Sequence, residues 1–117
     1  MNVKITETSV TFKISEAELH ELATGVPLER TVSIGGTCLD MVIDSDSSTY
    51  FDEHESTPLK VILDKKESCL MLCTSKRQIQ SLMAMGRSKE GIFAHVDGMD
   101  VFLQVDLRSD PRPYSVS

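Results

Sequence analysis

Tryptophan is absent from this sequence, and aromatic residues of any kind make up only 5% of it. A core built from such a chain rests on Leu, Val, Ile and Met, the remaining residues that bury well. Long hydrophobic runs are also missing. None approaches the ~20 apolar residues that a helix needs to cross a bilayer, which excludes a helical membrane span. The opening Met1-Asn2-Val3-Lys4-Ile5-Thr6-Glu7 holds no apolar stretch of the secretory-signal kind. Cysteine is scarce, at three residues: Cys38, Cys69 and Cys73. An odd count with no signal argues for reduced thiols in a cytoplasmic compartment, with each Cys acting as a small apolar residue. Positive charge is short as well: 12 Lys and Arg stand against 18 Asp and Glu, a net charge of −6. A general nucleic-acid binder needs clustered positive charge, so that class is excluded. No phosphate-cradling loop is present either. Gly35-Gly36 is too short, and Gly86 and Gly91 lack the G-x-x-x-x-G-K spacing.

What is present fits one domain. A chain of 117 residues, 40% of them hydrophobic, can bury a core without disulfides or metals. The charge is uneven along it. Residues 1–58 carry 3 Lys and Arg against 11 Asp and Glu, whereas residues 59–117 carry 9 against 7. Such a division can guide a partner or a second copy of the chain.

Hydrophobic periodicity orders the chain into ten elements. Val3 and Ile5, then Val10, Phe12 and Ile14, alternate at period two around a polar break, which predicts two strands and a turn. Ser15-Glu16-Ala17-Glu18 has the capping-box spacing, with Ile14 and Leu19 placed as a hydrophobic staple. Leu19, Leu22 and Ala23 make a short helical stripe that Gly25 and Pro27 end. Leu28–Ile34 reads as a third strand, Gly35-Gly36 as a hairpin turn, and Leu39, Met41 and Ile43 as a fourth strand. A polar, acidic segment runs from Asp44 to Pro58. Alternation resumes with Leu59, Val61 and Leu63, breaks at Lys65-Lys66-Glu67, and returns through Cys69–Cys73. That arm is apolar on both faces, as a central strand is. Ser75-Lys76-Arg77-Gln78 repeats the capping spacing, Ile79, Leu82 and Met83 form the stripe, and Gly86 stops the helix. Ile92–Val96, an Asp97-Gly98 turn, and Val101, Leu103 and Val105 close the pattern. The tail from Arg108 to Ser117 holds Pro111 and Pro113 and little that can pack, so residues 108–117 are expected to be mobile.

The two halves, 2–44 and 59–106, repeat one order: strand, strand, helix, strand, strand. Val10, Phe12, Ser15, Glu18, Leu19 and Leu22 match Leu70, Leu72, Ser75, Gln78, Ile79 and Leu82, all sixty residues on. Gly25 matches Gly86 at sixty-one, and Gly36, Leu39, Met41 and Ile43 match Gly98, Val101, Leu103 and Val105 at sixty-two. Searching a chain for internal repeats guards against misreading its architecture. The expected fold is therefore a single α+β domain over residues 1–107: a duplicated ββαββ unit joined by the acidic loop 44–58. Its eight mostly antiparallel strands would form a curled sheet or open barrel with two short helices. A groove at the junction of the halves is where a ligand would sit.

The stretch from Met1 to Leu19, with its strand, Thr6-Glu7-Thr8-Ser9 turn, second arm Val10-Thr11-Phe12-Lys13-Ile14 and Ser15 cap, resembles a family of small uncharacterised bacterial proteins. Members open with a Lys-Ile-Arg-Ile hairpin, an Asn-Ser-Ile-Arg-Leu-Arg-Leu second arm and a Ser/Thr-capped helix. The resemblance covers the first forty-odd residues. Thr8 stands where the family tends to have Asn, and Thr11 and Lys13 keep only part of its basic outer face. It implies no activity and no catalytic residue.

The most distinctive segment is the acidic loop. Counted from Asp44, oxygen-bearing side chains fall at positions 1, 3, 5, 9 and 12: Asp44, Asp46, Ser48, Asp52 and Glu55. That is close to the calcium loop of an EF-hand. Thr49 replaces its turn glycine and the flanks read as strands. Ca²⁺ is the cofactor this spacing would take. Cys69 and Cys73, four apart on a strand, lie about 13 Å from each other at ~3.3 Å per residue. One zinc, with Zn–S bonds of ~2.3 Å, cannot bridge them. His20, His54 and His95 have no local nucleophile context. Lys76, Arg77, Arg87 and Lys89, beside Met83 and Met85, could receive an anionic group or a peptide.

Three functions follow in order. The first is a non-catalytic protein-binding or regulatory module, whose partner is another protein or itself. The second is a divalent-cation-binding domain using residues 44–55. The third is a small enzyme with a site between the halves.

Overall fold

The structure, a computed structural model, describes residues 1–46, 57–85 and 91–106. All ten expected elements are present in order: β1 (Asn2–Ile5), β2 (Ser9–Ile14), α1 (Glu16–Ala23), β3 (Leu28–Ile34), β4 (Thr37–Asp44), β5 (Lys60–Asp64), β6 (Cys69–Cys73), α2 (Lys76–Ala84), β7 (Ile92–Val96) and β8 (Met99–Val105). The local chemistry explains their limits. Ser15 Oγ accepts the Glu18 N–H at 3.1 Å while Glu18 Oε1 accepts the Ser15 N–H at 2.9 Å, a complete capping box. Ser75 Oγ accepts from the Gln78 N–H at 3.2 Å at the start of α2. Gly35 and Gly36 (φ 55° and 84°) and Asp97 and Gly98 (φ 52° and 77°) supply the two left-handed residues of a tight hairpin turn.

The strands do not make one curled sheet or an open barrel. They form two separate four-stranded sheets, ordered β1-β2-β8-β7 and β3-β4-β6-β5. Each sheet takes one hairpin from the first half of the chain and one from the second. The four hairpin pairs are antiparallel, but the two joins between halves, β2 with β8 and β4 with β6, are parallel, so both sheets are mixed. Period-two patterning reports which residues point inward and says nothing about which distant strand lies alongside. This is why the division into two sheets departs from the expectation.

The two sheets share one pattern. Adding four to β1 and β2 and subtracting four from β8 and β7 turns the first sheet's order into the second's, read in reverse. The register agrees as well: Val10 stands opposite Val101, and Leu70 opposite Met41. Asp100 N–H donates to Thr8 O, and Asp40 N–H to Ser68 O, at 2.9 and 2.8 Å. The spatial counterpart of Met41 is therefore Val101, sixty residues on, rather than Leu103 as the glycine turns suggest. The β3–β4 hairpin extends two residues further before turning, which displaces its glycines relative to the strand pairing.

Inward residues of both sheets and both helices share one core. Phe12, Ile14, Leu22, Ile43, Leu59, Leu72, Ile79 and Leu103 are fully buried in it. The helices pack against each other, bringing Leu19 and Leu22 of α1 and Ile79 and Leu82 of α2 into the same cluster. At ~25 cal/mol per Å² of apolar area removed from water, each buried Leu or Ile stabilises by roughly 2 kcal/mol.

Candidate functional site

The interior offers little chemistry among the described residues. Its buried polar side chains all have structural partners. Ser45 Oγ donates to Leu22 O at 2.8 Å, Thr74 Oγ1 donates to Pro58 O at 2.9 Å, and Ser75 caps α2. No buried side-chain nitrogen or oxygen among the described residues lacks a hydrogen-bond partner. These buried polar side chains thus serve the shared core and the helix cap.

Of the five oxygen ligands expected in the acidic loop, Asp44 and Asp46 are described; Ser48, Asp52 and Glu55 lie outside the described residues. Asp44 ends β4, and its Oδ1 accepts the Asp46 N–H at 2.9 Å. Asp46 forms an isolated bridge with Ser75 and places Oδ2 3.9 Å from Lys76 Nζ. The Asp46 carboxylate thus faces the start of α2, and the Asp44 carboxylate holds the chain just beyond β4. Among the described residues no group of three or more His, Cys, Asp or Glu is gathered as a metal site would need.

The histidines divide in the same way. His54 is outside the described residues, and His20 is exposed on α1. His95 Nδ1 lies 2.7 Å from Asp100 Oδ1, its cross-strand partner, on an exposed surface. Ser9 flanks Asp100 on the other side. That order puts the carboxylate between the hydroxyl and the imidazole, whereas a hydrolytic triad needs the imidazole in the middle. On α2, Met83 and Met85 are partly exposed, and Lys76 is the cation already paired with Asp46; Arg87 and Lys89 are outside the described residues.

The chain matches no family model, no curated protein and no solved structure.

What the fold does build is a pair of outward sheet faces. In β7, Ile92 and Ala94 point into the core, so Phe93 and His95 point out; in β8, Val101 and Leu103 point in, so Asp100, Phe102 and Gln104 point out. Register places Phe93 opposite Phe102. Their rings sit 5.1 Å apart at 45°, an open aromatic pair with Phe93 51% exposed. The row continues through Thr11 to Lys4, and Lys13 lies on the same face of β2.

The second sheet presents a different surface. Its equivalent row is Glu29, Val42, Met71 and Ile62, in which Val42, Met71 and Ile62 are half-buried neighbours. The next row is Thr31, Asp40, Cys69 and Asp64. Thr31 Oγ1 donates to Asp40 Oδ1 at 2.7 Å. Burial pushes the Cys69 thiol pKa up, and the charges of Asp40, Asp64, Glu29 and Glu67 push it further in the same direction. Four carboxylates therefore converge on one apolar stripe. Among the described residues none of the four is in an ion pair.

Alternation alone carries a signal for these faces. Phe93 and Phe102 occupy the positions between the inward residues, where polar side chains are the usual occupants.

Proposed function

We propose that this chain is a non-catalytic protein-binding module and that its contact surface is the outward faces of its sheets. The observation that carries this reading is the open Phe93–Phe102 pair. A chain with 5% aromatic residues places two of its four Phe together on a solvent-facing sheet surface, one of them half exposed. The core has no use for Phe93, and exposed aromatics set among polar and charged groups are what protein interfaces favour. The internal polar groups already serve the fold, which is in keeping with recognition rather than catalysis. The three cysteines are free thiols, as suits a reducing compartment such as the cytoplasm.

We also infer that the chain arose by doubling a ββαββ unit. The matched sheet orders, the shared register and the equivalent Asp40–Ser68 and Asp100–Thr8 bonds support this. Doubling would supply two faces of the same build, which later substitution could then make different.

The test is affinity capture from an extract of the cells that make the protein, using the wild type and Phe93→Ser. A partner lost by the variant at unchanged melting temperature supports the reading. A partner retained in full by the variant removes this face from it.

A further inference from the structure

We infer that two copies of this protein pair through the open edge of β3, antiparallel across a two-fold axis, joining their β3-β4-β6-β5 sheets into one continuous sheet. This contact lies at a sheet edge, apart from the outward faces, and goes beyond the protein-binding reading.

The direction of the β3 backbone carries it. Asp40 N–H donates to Ser68 O at 2.8 Å, so it points toward the β6 side and away from β3. Thr31 is the partner of Asp40 in the β3–β4 ladder. The two residues of an antiparallel pair either bond each other or both face away, so Thr31 turns its N–H and C=O to the open edge. Glu29 and Ser33, two residues to either side, do the same. All three are exposed, and an edge with free backbone groups is a template for another strand. β3 is also the least guarded edge. It is seven residues long, against four in β1 and five each in β5 and β7, and β5 and β7 approach each other. Its pairing with β4 runs without a bulge from Leu28 to Ile34, and Pro27 stands just outside.

The sequence of β3 picks a second copy as the occupant. With the two-fold at Thr31, Thr31 of one copy meets Thr31 of the other and Glu29 meets Ser33. Each of these residues then exchanges N–H and C=O with the one opposite. Arg30 meets Val32, and Leu28 meets Ile34. Ile34 is 60% exposed, and Val26, two residues before Leu28, is 49% exposed. The two-fold brings the Ile34 end of each strand to the Leu28 end of the other, so the exposed apolar residues at the two ends come together. Glu29 and Arg30, the only charges on the strand, fix this register. A two-fold at Arg30 would set guanidinium against guanidinium, and one at Glu29 carboxylate against carboxylate. One at Val32 would move Glu29 opposite Gly35 in the turn and lose its bonds. At Thr31 each charge meets a neutral side chain, and the two Arg30 stand only diagonally, ~7–8 Å apart. The hairpin tip that reaches past Leu28 of the other copy, Gly35-Gly36-Thr37, carries no charge. A two-fold contact closes on itself, so the assembly stops at the dimer. The paired groups are neutral while each copy carries a net charge of −6, so salt strengthens the dimer by screening the repulsion between copies.

The experiment is sedimentation velocity of the full chain from micromolar to millimolar concentration, at low and high salt. The expected mean mass rises with concentration toward twice the 13.0 kDa of one chain, stops there, and does not fall with salt. Thr31→Pro removes an N–H that takes no part in the β3–β4 ladder, a change an edge strand tolerates, and is expected to be monomeric. Ser33→Pro serves in its place if that variant melts early. Thr31→Glu sets two carboxylates face to face and is also expected to be monomeric, whereas an equimolar mixture of it with Thr31→Lys forms a one-to-one mixed dimer. Phe93→Ser is expected to dimerise as the wild type does. Circular dichroism and thermal melts confirm that each variant is folded. A wild type that is monomeric at millimolar concentration overturns the inference; if Thr31→Pro then loses a cellular partner, the edge takes a foreign strand instead. Growth beyond the dimer, a dimer dissolved by salt, a dimer that folded Thr31→Pro or Ser33→Pro retains in full, or a mixture that stays monomeric overturns it as well. So does loss of the dimer in Phe93→Ser, which would mean that the faces meet rather than the edges.

Discussion

At the scale of single residues, Cys69 shows how a sheet face sets the chemistry of what lies within it. Its thiol is half-buried on β6, between Asp40 and Asp64 on the flanking strands. Burial and the four nearby carboxylates all disfavour the thiolate, and the thiolate is the reactive form. Cys69 is therefore expected to alkylate slowly at mildly alkaline pH, more slowly than the exposed Cys38. Asp40→Asn should speed its reaction by removing the strongest of the neighbouring charges, at the cost of weakening the bond from Thr31. Timed iodoacetamide labelling with peptide mass analysis checks this. Equal rates at Cys69 in wild type and Asp40→Asn would show that the carboxylates do not govern the thiol. Asp44 and Asp46 make the complementary point. Their spacing in the sequence reads as ligand geometry, and the fold adds an adjacent N–H for one and a lysine 3.9 Å from the other. A spacing says nothing of such neighbours.

At the scale of elements, local chemistry decides the outcome, and this is the part of the fold that was most legible. Alternation marked the strands, Gly35-Gly36 and Asp97-Gly98 marked two hairpins, and Ser15 with Glu18 marked the start of α1. The capping box is tied in further, because the Met1 ammonium donates to Glu18 Oε2 at 2.7 Å. Burial acts to raise the Glu18 pKa. Hydrogen bonds from the ammonium and from Ser15, together with the ammonium charge, outweigh it and hold the pKa below its ordinary value. A carboxyl group lowered on folding contributes stability above its unfolded pKa and loses it as pH falls through the folded pKa. Glu18→Gln is therefore expected to destabilise the protein at neutral pH and to lose that part of the acid dependence. Ser15→Ala should cost about 1 kcal/mol. The double variant should cost less than the two single ones together, because both side chains serve the same box. Urea melts at neutral and acidic pH measure all three, and strict additivity would show that the box does not act as a unit. Gly91 belongs to the same scale. Its φ is 67°, and an added Cβ would collide with Leu103 O, so Gly91→Ala combines backbone strain with a clash against the neighbouring strand. It should cost more than the same change at Gly35, where nothing lies within 4 Å. The melting temperatures of the two variants give the comparison.

At the scale of the whole molecule, legibility ended where pairing became long-range. Hairpins join neighbours in sequence, so their signals are local. The parallel join of Val10 to Val101 brings together strands from opposite ends of the chain, and no turn or cap announces it. The outward aromatic pair was readable only in part, for the same reason. Phe93 and Phe102 are visible in the sequence as out-facing residues of a hairpin, but whether a face is open or covered depends on how the sheets divide. That division leads to the last prediction. Each sheet holds one hairpin from each half, so neither half owns a complete sheet. Cutting the chain within residues 47–56 would leave β2 without β8 and β4 without β6, stripping the central strands of one hydrogen-bonded neighbour. It would also open the shared core, since Phe12, Ile14, Leu22 and Ile43 come from one side of the cut and Leu72, Ile79, Leu82 and Leu103 from the other. Each half alone would expose apolar surface and unpaired backbone together, and both are costly. Neither half is expected to fold by itself, and mixing the two should restore the spectrum and the cooperative melt of the intact chain. Circular dichroism of the separate and combined fragments reads this directly. A half that melts cooperatively on its own would mean that the hairpins and their helix suffice as a folding unit, and that the pairing between halves adds affinity but not structure.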